Sequence, residues 1–304
     1  MSVEVVIRNK QFIKKPLTVQ DITMGKYSCG TVDQYMRNTH EVKNGDLVIY
    51  NKDKIGRGVT VMGWSSAVKN EVTVVANALS TRYDYEMFYD IIRNIMSVWK
   101  TKNFEQEGIK YSEADIDKLC QEQRSFTLDF LTDIENTMND GGGDDLTIFG
   151  ALLPLELRRS VIKKFGEDKD EEGYADYLHG LQVIDAYYAV PLFYQQKNNK
   201  SAFFGSYAIT SDTDTIFPTV PKVPPFFTNP QTKKPLECSL YVVMLFSYAR
   251  KKVVGRLSFE DFIRLADIGN CKEFDSSHVL LKGISEERME EIAATDHVDP
   301  LEGV

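Results

Sequence analysis

A chain of 304 residues, 42% hydrophobic and 27% charged, has the proportions of a folded protein with a sizeable core and room for two compact units. Its 36 basic and 45 acidic side chains leave a net charge of −9, which argues against nucleic acid, whose phosphates call for clustered positive charge. The opening Met1-Ser-Val-Glu-Val-Val-Ile-Arg8 lacks the features of a secretion signal, and the longest strongly apolar stretch, 240–246, is too short to span a bilayer; no membrane and a cytoplasmic location are expected.

The first third reads as strands. Val3–Ile7, Asp46–Tyr50, Val59–Trp64 and Glu71–Val75 are β-branched or aromatic runs between turn formers, and Asn44-Gly45 is a hairpin signal. Leu17–Ile22 and Val32–Met36 read as short helical turns. Next comes the clearest helix: Phe88, Ile91, Ile92, Ile95, Met96 and Trp99 share one face, behind a shifted capping box at Thr81-x-x-Asp84. A second long helix starts at Ser112-x-x-Asp115, carries Ile116, Leu119, Cys120, Phe126, Phe130, Leu131 and Ile134, and ends near 136–140.

Gly141-Gly142-Gly143, flanked by Asn139-Asp140 and Asp144-Asp145, predicts a junction at 139–145 between a domain over 1–140 and a second over 146–304. Pro154 and Gly166 bracket a predicted helix over 155–165, and 169–172 reads as exposed loop. Tyr187–Gln195 and Ala202–Ile209 form a predicted hairpin in which Pro191 forces the first strand to an edge or a bulge. Six of the ten prolines crowd into 216–235, an extended, irregular segment around Phe217, Phe226 and Phe227. The chain closes with Ser239–Ser247 as strand or buried helix, a helix capped by Ser258-x-x-Asp261, a strand His278–Leu281 and a helix from near Ser285. The fold class is therefore α+β: an antiparallel or mixed N-terminal sheet packed by two long helices, then a mixed α/β subdomain.

Chemical motifs are sparse. The cysteines Cys29, Cys120, Cys238 and Cys271 show no C-x-x-C spacing, and the histidines His40, His179, His278 and His297 show no metal-ligand spacing, so no metal and no cofactor are predicted. The acidic glycine tract and Ser211-Asp-Thr-Asp214 lack the calcium-loop pattern, and neither a P-loop nor a nucleophile elbow occurs. Gly56-Arg57-Gly58 is a tight turn entering a strand whose amides suit an anion; Arg57 is the candidate anion contact. His179, Cys271 and His278 are a weaker polar set, with Cys271 and His278 the pair to inspect for a thiol–imidazole dyad. Phe226, Phe227 and Tyr89 are the candidate partner-binding aromatics.

Gly56-Arg-Gly-Val-Thr-Val-Met-Gly-Trp64, Glu71-Val-Thr-Val-Val75 and Ser80-Thr-Arg-Tyr-Asp-Tyr-Glu-Met-Phe88 resemble a bacterial family catalogued as domain of unknown function 4299, over about residues 50–110. The resemblance implies a bacterial cytoplasmic protein and carries no active site. Successive thirds of the chain carry net +4, −9 and −4, so acidity is concentrated in the middle. The function expected is a non-catalytic protein–protein interaction module, of inhibitor or immunity type, binding a basic partner by charge complementarity. The alternative is an enzyme with dispersed residues acting on a small anionic ligand, with Arg57, His179, Cys271 and His278 converging.

Overall fold

Alternation decides the first sheet. In Val3–Arg8 (β1) the side chains of Val3, Val5 and Ile7 are buried and those between them are not, as a strand with one covered face requires. The computed structural model describes residues 2–12, 16–65, 70–134, 144–199, 202–295 and 299–301. The chain divides into two units, Met1–Ile184 and Asp185–Val304.

In the first unit, β1 pairs with Glu71–Ala76 (β5) in a seven-stranded sheet of order β2-β3-β4-β5-β1-β6-β7. The others are Ser28–Gly30 (β2), Leu47–Tyr50 (β3), Val59–Met62 (β4), Asn103–Gln106 (β6) and Ile109–Ser112 (β7), and every pairing is antiparallel. Val19–Thr23 (α1) and Arg82–Val98 (α2) join it; α2 lays Phe88, Ile91, Ile92 and Ile95 in one cluster with Val5, Val59, Val61, Val72 and Val74. Each such aliphatic side chain contributes about 1.5–3 kcal/mol by burial. The Thr81-x-x-Asp84 capping box that sequence predicts is present.

Ile116–Thr132 (α3) follows a single 3-10 turn capped at Ser112. After it come Asp145–Phe149 (β8) and Pro154–Arg158 (β9), an antiparallel pair, then Arg159–Glu167 (α4) and Glu171–Gln182 (α5). Here three expectations are corrected. Pro154 opens a strand, and the helix begins only at Arg159. Gly166 lies inside α4, where a Cβ would come within 2.8 Å of the Leu128 carbonyl oxygen; it is there for close approach to α3, not for termination. Residues 171 and 172 are the first turn of α5, whose N-cap Asp170 accepts from the Gly173 amide. Likewise 32–36 is a turn closed by a Val32–Asn38 bridge, and Asn44-Gly45 does not join two strands directly.

The junction expected at 139–145 falls mostly on 135–143, outside the described residues; the division into units comes after Ile184. Bonds from 144–182 back to the first hundred residues account for that position. Asn38 donates to the Ala151 carbonyl at 3.0 Å, and Tyr174 to that of Leu79 at 2.9 Å.

The second unit holds two four-stranded sheets. Tyr187–Tyr188 (β10), Thr215–Pro218 (β13), His278–Leu281 (β17) and Lys272–Glu273 (β16) form one, in that order. Leu192–Gln195 (β11), Phe203–Thr210 (β12), Leu240–Ser247 (β14) and Lys252–Ser258 (β15) form the other. The run read as one strand over 187–195 is thus two, split at Ala189–Pro191 between different sheets; Pro191 cannot donate to a ladder. Phe259–Leu265 (α6), capped by Ser258, and Glu286–Ala294 (α7), capped by Ser285, cover the second sheet, with Tyr207, Phe217, Phe259 and Phe262 as an aromatic centre. An α+β fold is established, and no helix among the described residues is long and apolar enough to cross a membrane.

Candidate functional site

Gly56-Arg57-Gly58 precedes β4, and its amides do hold an anion, one supplied by the chain itself. The N–H groups of Arg57 and Gly58 donate to the two carboxylate oxygens of Asp84, at 3.0 and 2.9 Å, and Thr81 adds its N–H and hydroxyl at 2.8 and 2.9 Å. Gly58 has φ +70°, and a Cβ there would lie 2.7 Å from the Ile49 carbonyl oxygen. At Gly56 a Cβ would overlap the Asp84 carboxylate and Thr81, so that glycine is what lets the turn close on the carboxylate. Asp84 is almost wholly buried; burial pushes its carboxyl above the ordinary range against the downward pull of its four donors.

The guanidinium of Arg57 turns to the main chain. Its Nε donates to the Phe149 carbonyl at 3.1 Å and its Nη1 to that of Ala78. Expected as a contact for an outside anion, Arg57 instead ties the strand β8 and the loop before α2 to the turn it sits in. Burial lowers its pKa. Tyr174 of α5 completes the knot through Leu79, itself at φ +62°.

Beside this knot, Ser80 Oγ and Arg82 Nε are buried with no hydrogen-bond partner among the described residues and line a small hollow with Thr127 and Tyr174. Arg82 does stand 3.7 Å from Glu86 and from Glu172. On α3 lies a shallow concavity of about 500 Å³ lined by Asp117, Cys120, Gln121, Arg124, Ser125 and Glu171. Its arginine is already engaged by Glu171, and burial raises the Cys120 thiol, which keeps it protonated.

The remaining sequence candidates have separate partners. His179, in the first unit, accepts the Ile55 amide on Nδ1 at 3.0 Å and so anchors the turn ahead of Gly56. In the second unit Cys271 donates to the Asp267 carbonyl at 3.8 Å, and burial raises its thiol. His278 is buried between Asp275, 2.8 Å from Nδ1, and Tyr188, whose hydroxyl is 3.1 Å from Nε2. In the neutral ring Nδ1–H donates to Asp275 and Nε2 accepts from Tyr188. The imidazole is thus bonded within β10, β17 and the turn before β17, and Cys271 has different hydrogen-bond partners. The sequence missed Asp275 and Tyr188; the Asp-x-x-His spacing across a turn is the signal that could have found the first.

Among the aromatics, Tyr89 is corrected: it is 1% exposed, edge-on to Phe88 at 4.9 Å, with its hydroxyl on Gln106. Its place beside Phe88 at the margin of the helix face is covered by β6, so it meets no partner. Phe226 is 45% exposed and Phe227 half-buried; Phe227 packs on Phe193 of β11 at 5.1 Å and on Phe226 at 5.5 Å. β11 is the outermost strand of its sheet and also exposes Leu192 and Tyr194, on the face opposite Phe193. Sequence reading saw β11 only as half a hairpin. The unbroken apolar run L-F-Y after a proline, on a strand read as going to an edge or a bulge, was the available sign that some of these side chains face solvent.

The family model described as domain of unknown function (DUF4299) matches residues 2–292, nearly the whole chain, and the chain belongs to that family. No curated protein and no solved structure matches it.

Proposed function

We propose that this DUF4299 chain is a non-catalytic protein-binding module whose contact surface is the aromatic edge of its second unit. One observation carries the reading: Leu192, Tyr194 and Phe226 leave large apolar side chains in solvent around an edge strand, where burial against a partner recovers their hydrophobic free energy. Supporting it over the enzyme alternative, Arg57, His179, Cys271 and His278 each have separate hydrogen-bond partners. An inhibitor or immunity-like role is the form of this reading in which occupying the partner silences it.

Affinity purification of the tagged chain from its native cells, beside a Tyr194→Ser/Phe226→Ser variant, tests the reading. A protein retained by the parent chain and lost by the variant is the expected result. Equal retention by both, or none by either, removes the proposal.

A further inference from the structure

We infer that the aromatic edge binds by strand addition, and that the segment it takes is an extended acidic stretch with alternating apolar side chains. This rests on the protein-binding reading above and adds a mode and a chemistry to it.

β11 offers the template. It pairs with β12 on one side, from Leu192–Ser206 to Gln195–Phe203, and among the described residues no strand pairs with its other side. Edge strands are usually blunted by charge or by a covering element. The opposite edge of the same sheet, β15, shows the first of these devices: Lys252 and Arg256 lie along it. The sequence of β11, Leu-Phe-Tyr-Gln, has no charge at all. Successive side chains of an added strand would point to its two faces, toward Leu192 and Tyr194 on one and toward Phe193 and the Phe226–Phe227 pair on the other.

Charge selects the occupant. The chain-wide −9 favours a basic partner, but the exposed charges in the segments 192–199 and 226–237 are three lysines, Lys197, Lys233 and Lys234, against one acid, Glu237. Lys197 follows β11 by two residues, is exposed and makes no ion pair among the described residues. Lys233 and Lys234 do the same in the turn that follows Phe226 and Phe227, where Asn229 N–H bonds the Lys234 carbonyl and Leu236 N–H that of Phe227. Three ammonium groups against the single carboxylate of Glu237, around an uncharged apolar strand, complement carboxylates spaced between apolar residues.

The probe is a labelled synthetic peptide of about ten residues alternating glutamate with valine and phenylalanine, titrated into the full chain. Beside it run the same peptide with lysine for glutamate, and the acidic peptide N-methylated on alternate amides in either register. Expected are at least about tenfold tighter binding of the acidic than of the lysine peptide, a similar loss in one methylated register, and slowed amide exchange over 192–196. Lys197→Glu/Lys233→Glu/Lys234→Glu, all surface changes, should abolish or invert the charge preference. Absence of binding by the acidic peptide, indifference to both methylation patterns, or an unchanged preference in the triple variant overturns the inference. If cellular capture still depends on Tyr194 and Phe226 while the peptide fails, strand addition falls alone; if capture fails too, the protein-binding reading falls with it.

Discussion

The turn at Gly56–Gly58 and the edge at Leu192–Gln195 invert each other. The first carries a charged side chain and turns it inward, where Asp84, Ala78 and Phe149 take every hydrogen bond described for Arg57. The second carries three apolar side chains and turns two of them outward. A charged residue between flexible glycines is thus no indicator of a site until its bonds are counted, whereas an apolar residue in solvent on an unpaired edge marks a surface that folding left unfinished.

If the first turn is structural and the second functional, substitutions must separate stability from binding. Asp84→Ala strands four buried donors and should cost about 3–5 kcal/mol in urea or guanidinium unfolding; a loss under 1 kcal/mol would break the comparison from the structural side. Gly58→Ala, forced into φ +70° against the Ile49 carbonyl, should cost about 1–3 kcal/mol in the same assay. In the second unit, Tyr188→Phe leaves His278 Nε2 without its donor and should cost about 1–2 kcal/mol.

Acid should expose a smaller term. Glu286, at the start of α7, accepts from the Ser211 hydroxyl and the Ala249 amide, and with Ser247 these draw its carboxyl down to about 2 from an ordinary 4.5. A folded pKa below the unfolded one means this contribution is intact above pH 4.5 and disappears as pH falls toward 2. Glu286→Gln should therefore flatten the acid limb of a stability profile, while leaving its shape near neutrality unaltered. Smallest of all, Tyr194→Ser and Phe226→Ser should move stability by no more than about 0.5 kcal/mol, since both rings are exposed. Their effect belongs to partner capture, and a large stability loss would show those rings to be core.

What the sequence disclosed follows the range of the interactions concerned. The face of α2 and the caps at Thr81 and Ser258 are periodic or span three residues, and all were legible. The hairpin β6–β7 passed unnoticed although Glu107-Gly108, both at positive φ, mark its two-residue turn. Phe126, one of the apolar residues that the sequence places on the second helix, is 44% exposed, because α3 buries only a narrow stripe through Ile116, Leu119, Thr127 and Leu131. Gly166 was misread since its reason, the backbone of α3, lies over 30 residues away in the chain. The site followed the same rule: Phe226 could be nominated from composition, but that Asp84 fills the cradle of Arg57 and that Tyr89 is covered are facts of tertiary contact.

The knot around Arg57 also sets a timetable for synthesis. Its guanidinium waits for Phe149, 92 residues downstream, and the Leu79 carbonyl for Tyr174, 95 residues downstream. At about 5–20 residues per second, the last strand of the first sheet, ending at Ser112, leaves the ribosome roughly 3–12 s before the last of these bonds can form. A nascent chain stopped short of Gln182 would hold α2 and its sheet with Arg57 still unbonded to its downstream partner strand or its loop still open, so protease resistance in a length series should step up only once α5 has emerged.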